Sequence, residues 1–161
     1  MLSALLVIVG TLLGTLLGAA VAALLQDRSA RRAEAARRRE RTRSEILDAV
    51  SRLAGAVSDH RRAMYLRGEA VLSKAPQESA ERLRADSYDT RSQVAQPLTA
   101  LRLLVTDPTV CAAANAMIVA TFAMRRAGGS MDALSAARVK AVEAHDAFVD
   151  AAAQHLQAAD R

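Results

Sequence analysis

From Leu2 to Leu25 the chain carries no charged side chain, and the run ends abruptly at Gln26-Asp27-Arg28. At ~1.5 Å of rise per residue a helix of that length covers ~36 Å, enough to cross a hydrocarbon core of ~30 Å with some tilt. The run predicts a transmembrane helix, and the rest of the chain is then a tethered domain. A cleaved signal peptide is the rival reading, because Ala20-Val21-Ala22 imitates a small-x-small cleavage site. No Lys or Arg precedes the run, it exceeds a signal core of ~7–15 residues, and arginines crowd behind it, so a retained anchor is preferred. Positive charge beside a span marks the cytoplasmic side. The expected topology is a single-pass protein of the cell membrane, N-terminus outside and C-terminal domain cytoplasmic.

Within the run, Gly10, Gly14, Gly18 and Ala22 recur every four residues, which puts small residues on one side of a helix. A second helix can approach closely along such a row, so a homo-oligomer is expected. The competing explanation is that Gly and Ala are simply common in membrane helices.

Residues 26–43 form an Arg-rich stretch without Gly or Pro, expected to continue the helix as a juxtamembrane stalk. It holds eight of the twenty-two Lys and Arg and three of the seventeen Asp and Glu, so the remainder of the chain is neutral and the net charge of +5 belongs to the stalk. At ~100° per residue, Arg28, Arg31, Arg32, Arg38, Arg39 and Arg43 fall within an arc of ~140°, whereas Arg37 and Arg41 lie opposite, among Asp27, Glu34 and Glu40. Anionic lipid suits the arginines nearest the membrane, but that attraction fades within a Debye length of ~8 Å. The outer arginines therefore serve a tilted stalk, a nucleic acid or acidic protein, or only solvent. A zipper-type DNA reader is disfavoured, since no Asn is present to read a base edge and Leu is not sustained at one heptad position.

Residues 44–161 are expected to be a cytoplasmic helical bundle. Ile46, Val50, Leu53, Val57, His60 and Met64 are spaced 4, 3, 4, 3, 4, the coiled-coil-like seam of a packed helix running to about Leu72. Ser73-Lys74-Ala75-Pro76 breaks it. A second helix follows with Leu83, Ser87, Val94, Leu98, Leu101 and Val105 inward and a kink at Pro97. Asp107-Pro108 restarts the chain as a third, apolar helix to about Arg126, ended by Gly128-Gly129. Ser130 caps a fourth, packed through Leu134, Ala141, Val142, His145, Phe148, Val149, Ala152 and Leu156. Two Phe, two Tyr and no Trp mean that the core is aliphatic. The predicted class is all-α, with an N-terminal transmembrane helix, a basic helical stalk and an up-and-down antiparallel four-helix bundle.

No residues suggest catalysis, a cofactor or a metal. His60 and His145 lie on seams and His155 ten residues further, but neither seam histidine has the Glu three residues before it that bundle metal sites use. Cys111 stands alone and reads as a small apolar residue. The densest polar stretch is Asp59 to Glu69, in which Arg61, Arg62, Tyr65 and Arg67 form a candidate surface for an unidentified cytoplasmic protein, Arg and Tyr being favoured at interfaces. The plainer reading is a solvated helix face with an Asp59–Arg62 pair.

The anchor VGTLLGTLLG, the arginines after it, AVSDHRRAMYLRGEA and LRLLVTDPTVCAAANA together resemble small membrane proteins of streptomycetes, the kil-type plasmid spread or transfer proteins. The resemblance implies a role at the membrane in moving plasmid DNA between mycelial compartments, alongside a separate motor protein. It brings no catalytic residues. The expected function is therefore a non-enzymatic, self-associating membrane protein with a helical interaction module. The alternative is a tether for nucleic acid or anionic lipid acting through the stalk arginines.

Overall fold

A computed structural model describes the backbone from Leu2 to Ala158, and the side chains of Gln26 and of residues 30–158. The apolar run, the row Gly10, Gly14, Gly18 and Ala22, and Arg28 lie outside the residues whose side chains are described. The protein is all-helical: α1 (Leu2–Leu72), α2 (Gln77–Gln93), α3 (Ala95–Leu104), α4 (Pro108–Ala123), a 3-10 turn at Met124–Arg126 and α5 (Met131–Ala158). No strand occurs among the described residues. The chain divides into two compact units, residues 1–42 and 43–161.

In the first unit every residue from Ala30 to Thr42 is exposed, as a stretch of Ala, Arg and Glu without a hydrophobic stripe requires. Helix propensity and neighbours one turn apart hold it: Arg38 pairs with Glu34, and the Thr42 hydroxyl donates to the Arg38 carbonyl over 3.1 Å.

In the second unit the 4, 3, 4, 3, 4 spacing is realised without exception. Ile46, Val50, Leu53, Val57, His60 and Met64 are all buried, Leu53 completely. Ile46, Val50, Leu53 and Val57 form a core with Val94 and Val105, which flank α3, with Leu101 inside it, and with Val110, Ala114, Met117 and Ile118 of α4 and Phe148 and Ala152 of α5. Burying a Val, Leu, Ile, Phe or Met side chain stabilises by ~1.5–3 kcal/mol each, so this cluster is the main source of folding energy. Met64, Met124, Leu134 and Ala141 make a smaller one at the other end.

Chain direction follows from individual contacts. His60 meets Thr90 and Arg67 meets Ser87, so α1 and α2 run antiparallel. The start of α4 lies beside the end of α5 through Asp107 and His155, and the short link from Ala127 to Ser130 joins their other ends, so this pair is antiparallel too. Gly68 of α1 rests on Leu134 near the start of α5: a Cβ built on Gly68 lies 2.8 and 2.9 Å from the two Leu134 methyls. No side chain larger than hydrogen fits there without displacing a buried leucine.

The boundaries have local causes. α1 ends in a Schellman motif: Ala75 N–H reaches the Ala70 carbonyl at 2.9 Å and Lys74 N–H the Val71 carbonyl at 3.3 Å, with Lys74 left-handed at φ 53°. Pro97 does more than kink the second rod. Its ring removes a donor and crowds the carbonyl four residues back, and the regular hydrogen bonding is interrupted at Val94, where α2 ends and α3 begins although the backbone stays helical at φ −72° and ψ −28°. Asp107 caps α4 by accepting from Thr109 N–H at 2.8 Å and Val110 N–H at 3.3 Å, with Pro108 in the first turn. Ser130 accepts from Ala133 N–H at 3.1 Å at the start of α5. Val149 stays 41% exposed, unlike the seam positions around it, because Phe148 and Ala152 already face the core and Val149 lies ~100° around the helix from Phe148.

Among the described residues one stretch, Pro108–Arg126, is long and apolar enough to cross a membrane. A core helix of a folded domain passes the same test, and Val110, Ala114, Met117, Ile118 and Thr121 are buried against the other helices.

Candidate functional site

Exposed arginines make up the first candidate region. Glu34, Arg37, Arg38 and Arg41 line one shallow depression, and Arg31, Arg32, Arg39 and Arg43 are solvent-exposed. The Arg38–Glu34 pair sits at the edge of the cationic arc, because a carboxylate four residues before an arginine reaches it along the helix. With both partners more than half exposed, such a pair contributes only about tenths of a kcal/mol and leaves the face cationic.

The second region is the polar stretch of α1, whose side chains diverge. Arg61 turns toward α5: its Nη2 donates to Ser58 Oγ over 3.2 Å, while Nη1 is buried without a hydrogen-bond partner, as is Nδ1 of His145. Burial first, then Arg138, lowers the Arg61 pKa, and burial followed by Arg61 lowers that of His145. Tyr65 is half-buried beside the Met64 cluster, with the Arg138 guanidinium 4.6 Å over its ring. Arg62 is exposed and borders a depression shared with Asp59 and Asp86. Arg67 reaches the other way, to α2. The four residues thus occupy three different sides of the helix.

Arg67 belongs to a cavity of about 490 Å³ between α1, α2, α4 and the 3-10 turn. Its walls hold Arg67, Arg91, Arg125 and Arg126, and its lining includes no carboxylate. Arg67 Nη1 donates to Ser87 Oγ over 3.1 Å, and Ser87, only 2% exposed, donates to the Arg84 carbonyl over 2.7 Å. The guanidiniums of Arg67 and Arg84 lie 5.7 and 5.9 Å from the Tyr88 ring centre. Arg91 lies 4.8 Å over Phe122, whose ring meets His60 edge to face at 5.2 Å. His60 Nδ1 is 3.1 Å from Thr90 Oγ1, and burial together with Arg91 lowers its pKa. Tyr88 is lowered by Arg84 through hydrogen bonding and charge, then by Arg125 and Arg67.

In the sequence Arg67 belongs to the polar stretch Asp59 to Glu69, and Arg126 lies at the end of the apolar third helix. What linear reading missed is that three separate segments deliver arginines to one concavity. The visible signal was Arg84, Tyr88 and Arg91, spaced four and three on one face of α2.

Elsewhere, Cys111 is half-buried with its thiol donating to the Val105 carbonyl over 3.4 Å. Among the described residues no three His, Cys, Asp or Glu side chains come together in a metal-binding group.

Comparison with known proteins adds the family. Residues 47–156 match the model of the KilB plasmid transfer protein. Protein KilB of Streptomyces lividans is 37% identical over 158 residues, spanning 98% of this chain and all of the relative. No solved structure matches. The matched segment begins one residue after Ile46 and ends in the last turn of α5, so it takes in all of the packed core but that residue, and the chain belongs to the KilB plasmid transfer protein family.

Proposed function

We propose that this chain is a non-enzymatic, single-pass membrane protein that acts in conjugative plasmid spread. The observation that carries this reading is the full-length similarity to a protein of that family. The charge-free run from Leu2 to Leu25, followed by eight arginines in residues 27–43, supports an anchor in the cell membrane with its N-terminus outside. In this reading residues 1–25 are the anchor, 26–43 the stalk and 44–161 a cytoplasmic up-and-down four-helix bundle whose second rod is interrupted at Val94. Gly10, Gly14, Gly18 and Ala22 bring two anchors together. The bundle presents a neutral module to a cytoplasmic protein partner, with Arg62 the exposed one among Arg61, Arg62, Tyr65 and Arg67.

Reporter fusions at the C-terminus, read in membranes of an actinobacterial host, test the topology. A cytoplasmic reporter is expected, and a reporter active outside removes the proposal. Crosslinking in native membranes should yield a dimer or higher species that Gly14→Leu abolishes.

A second reading, a tether for nucleic acid or anionic lipid, is favoured by the uninterrupted exposure of residues 30–45. Replacing Arg37, Arg38, Arg39, Arg41 and Arg43 with Gln should then weaken binding to DNA or anionic vesicles and flatten its salt dependence. Unchanged binding rejects the tether and leaves the arginines as an orientation signal.

A further inference from the structure

We infer that the cavity between α1, α2, α4 and the Met124–Arg126 turn binds a soluble organic phosphate of the nucleoside-phosphate class. Arg67, Arg125 and Arg126 hold its phosphates and Tyr88 carries its base. The argument starts from charge. Arg38, Arg52 and Arg82 each pair with a carboxylate four residues earlier on their own helix. Arg67, Arg91, Arg125 and Arg126 make no ion pair with the described residues, yet they converge on one cavity with no acidic lining. Gathering like charges raises the energy of the empty site and is repaid when an anion enters.

The site is also built. Buried Ser87 fixes Arg67, so its guanidinium meets a ligand with little rotamer freedom left to lose. Guanidiniums bind phosphate oxygens in pairs, and the planar fork suits a polyphosphate.

An inorganic ion leaves the rest of the cavity unexplained. Met64, Phe122 and the largely exposed Val119 give it an apolar lining, and Tyr88 offers a ring that is 45% exposed. Flat apolar bodies stack on such rings, and arginines stacked beside them add a cation–π contribution. A volume of about 490 Å³ fits a single small ligand, inside the ~300–1,000 Å³ range of such sites.

The test is calorimetry on the full-length protein in a phosphate-free zwitterionic detergent, titrated with ATP, pyrophosphate, adenosine and a short oligothymidylate. ATP should bind, and pyrophosphate and adenosine should each bind at least about tenfold more weakly. Arg125→Gln with Arg126→Gln should lower ATP affinity by about tenfold or more. Tyr88→Leu should lower it about fivefold while leaving pyrophosphate unchanged. These three side chains are exposed, so the core is untouched, and unchanged melting of each variant confirms it. Gln at Arg37, Arg38, Arg39, Arg41 and Arg43 should leave ATP affinity unaltered, which separates the cavity from the stalk. Absence of ATP binding at millimolar concentration overturns the inference. So does ATP affinity indifferent to the Arg125 and Arg126 changes, pyrophosphate binding as tight as ATP, or oligothymidylate occupying the same residues more tightly than ATP.

Discussion

Gly55 and Gly68 lie in the same helix, and the structure assigns opposite signs to their replacement by alanine. In a helix interior Ala is favoured over Gly by ~0.8–1 kcal/mol, because Gly has more backbone freedom to lose. At Gly55 nothing lies within 4 Å of an added Cβ, so Gly55→Ala should gain that amount. At Gly68 the same methyl falls 2.8 and 2.9 Å from the ends of Leu134, which is 1% exposed, so a core side chain must shift to admit it. Overpacking a filled core costs ~1–3 kcal/mol, so the propensity gain is cancelled or exceeded and Gly68→Ala should be neutral to ~2 kcal/mol destabilising. A double-mutant cycle isolates the cause. Leu134→Ala alone should cost ~2–5 kcal/mol, but in that background Gly68→Ala has room and should become stabilising by ~1 kcal/mol. The assay is denaturant unfolding of all variants, the coupling being the difference between the two Gly68→Ala effects. If Gly68→Ala stabilises the parent as much as Gly55→Ala does, the close approach of α1 and α5 is refuted.

Other expectations follow from buried polar groups and chain ends. His60 and His145 both have pKa values below the ordinary ~6.5 for imidazole, from burial first and then from Arg91 and Arg61 respectively. Their neutral forms therefore favour the fold: stability is full above pH ~6.5 and falls as pH drops below it, by at most ~1.4 kcal/mol per pH unit for each group. Melting temperature between pH 7.5 and 5.5 should decline, and a flat profile rejects the assignment. Asp107→Ala removes the acceptor for two backbone N–H groups at the start of α4 and should cost ~1 kcal/mol in chemical unfolding, with Asp107→Asn largely sparing it. Lys74→Gly relieves a left-handed residue at φ 53° that costs an L-amino acid ~1–2 kcal/mol, so it should raise the melting temperature, whereas Lys74→Val should lower it.

How much of this was legible in the chain differs from one feature to the next. The α1 seam and the Asp107-Pro108 and Ser130 starts are local patterns, set by residues within a turn or two, and they appear where the spacing puts them. Val94 lies inside, as its place in the spacing implies, but the interruption of helical hydrogen bonding there depends on how far a proline's disturbance spreads back through the helix, which spacing does not state. Gly68 looked like a member of a polar stretch, because the distance from α1 to α5 is a tertiary quantity. The arginine cavity was invisible for the same reason. Each contributing residue has an ordinary local explanation, and only the fold shows that they share a space.

One consequence of the joint at Val94 concerns which part of the domain moves most easily. α2 places a single side chain, that of Ser87, fully out of water, whereas α4 places five. Swinging α2 away would surrender hydrogen bonds that solvent can replace and less hydrocarbon burial than losing α4, Leu83 of α2 being only half-buried. The wall that carries Tyr88 and Arg91 is thus the cheapest wall to open, and entry to the cavity does not require the core to loosen.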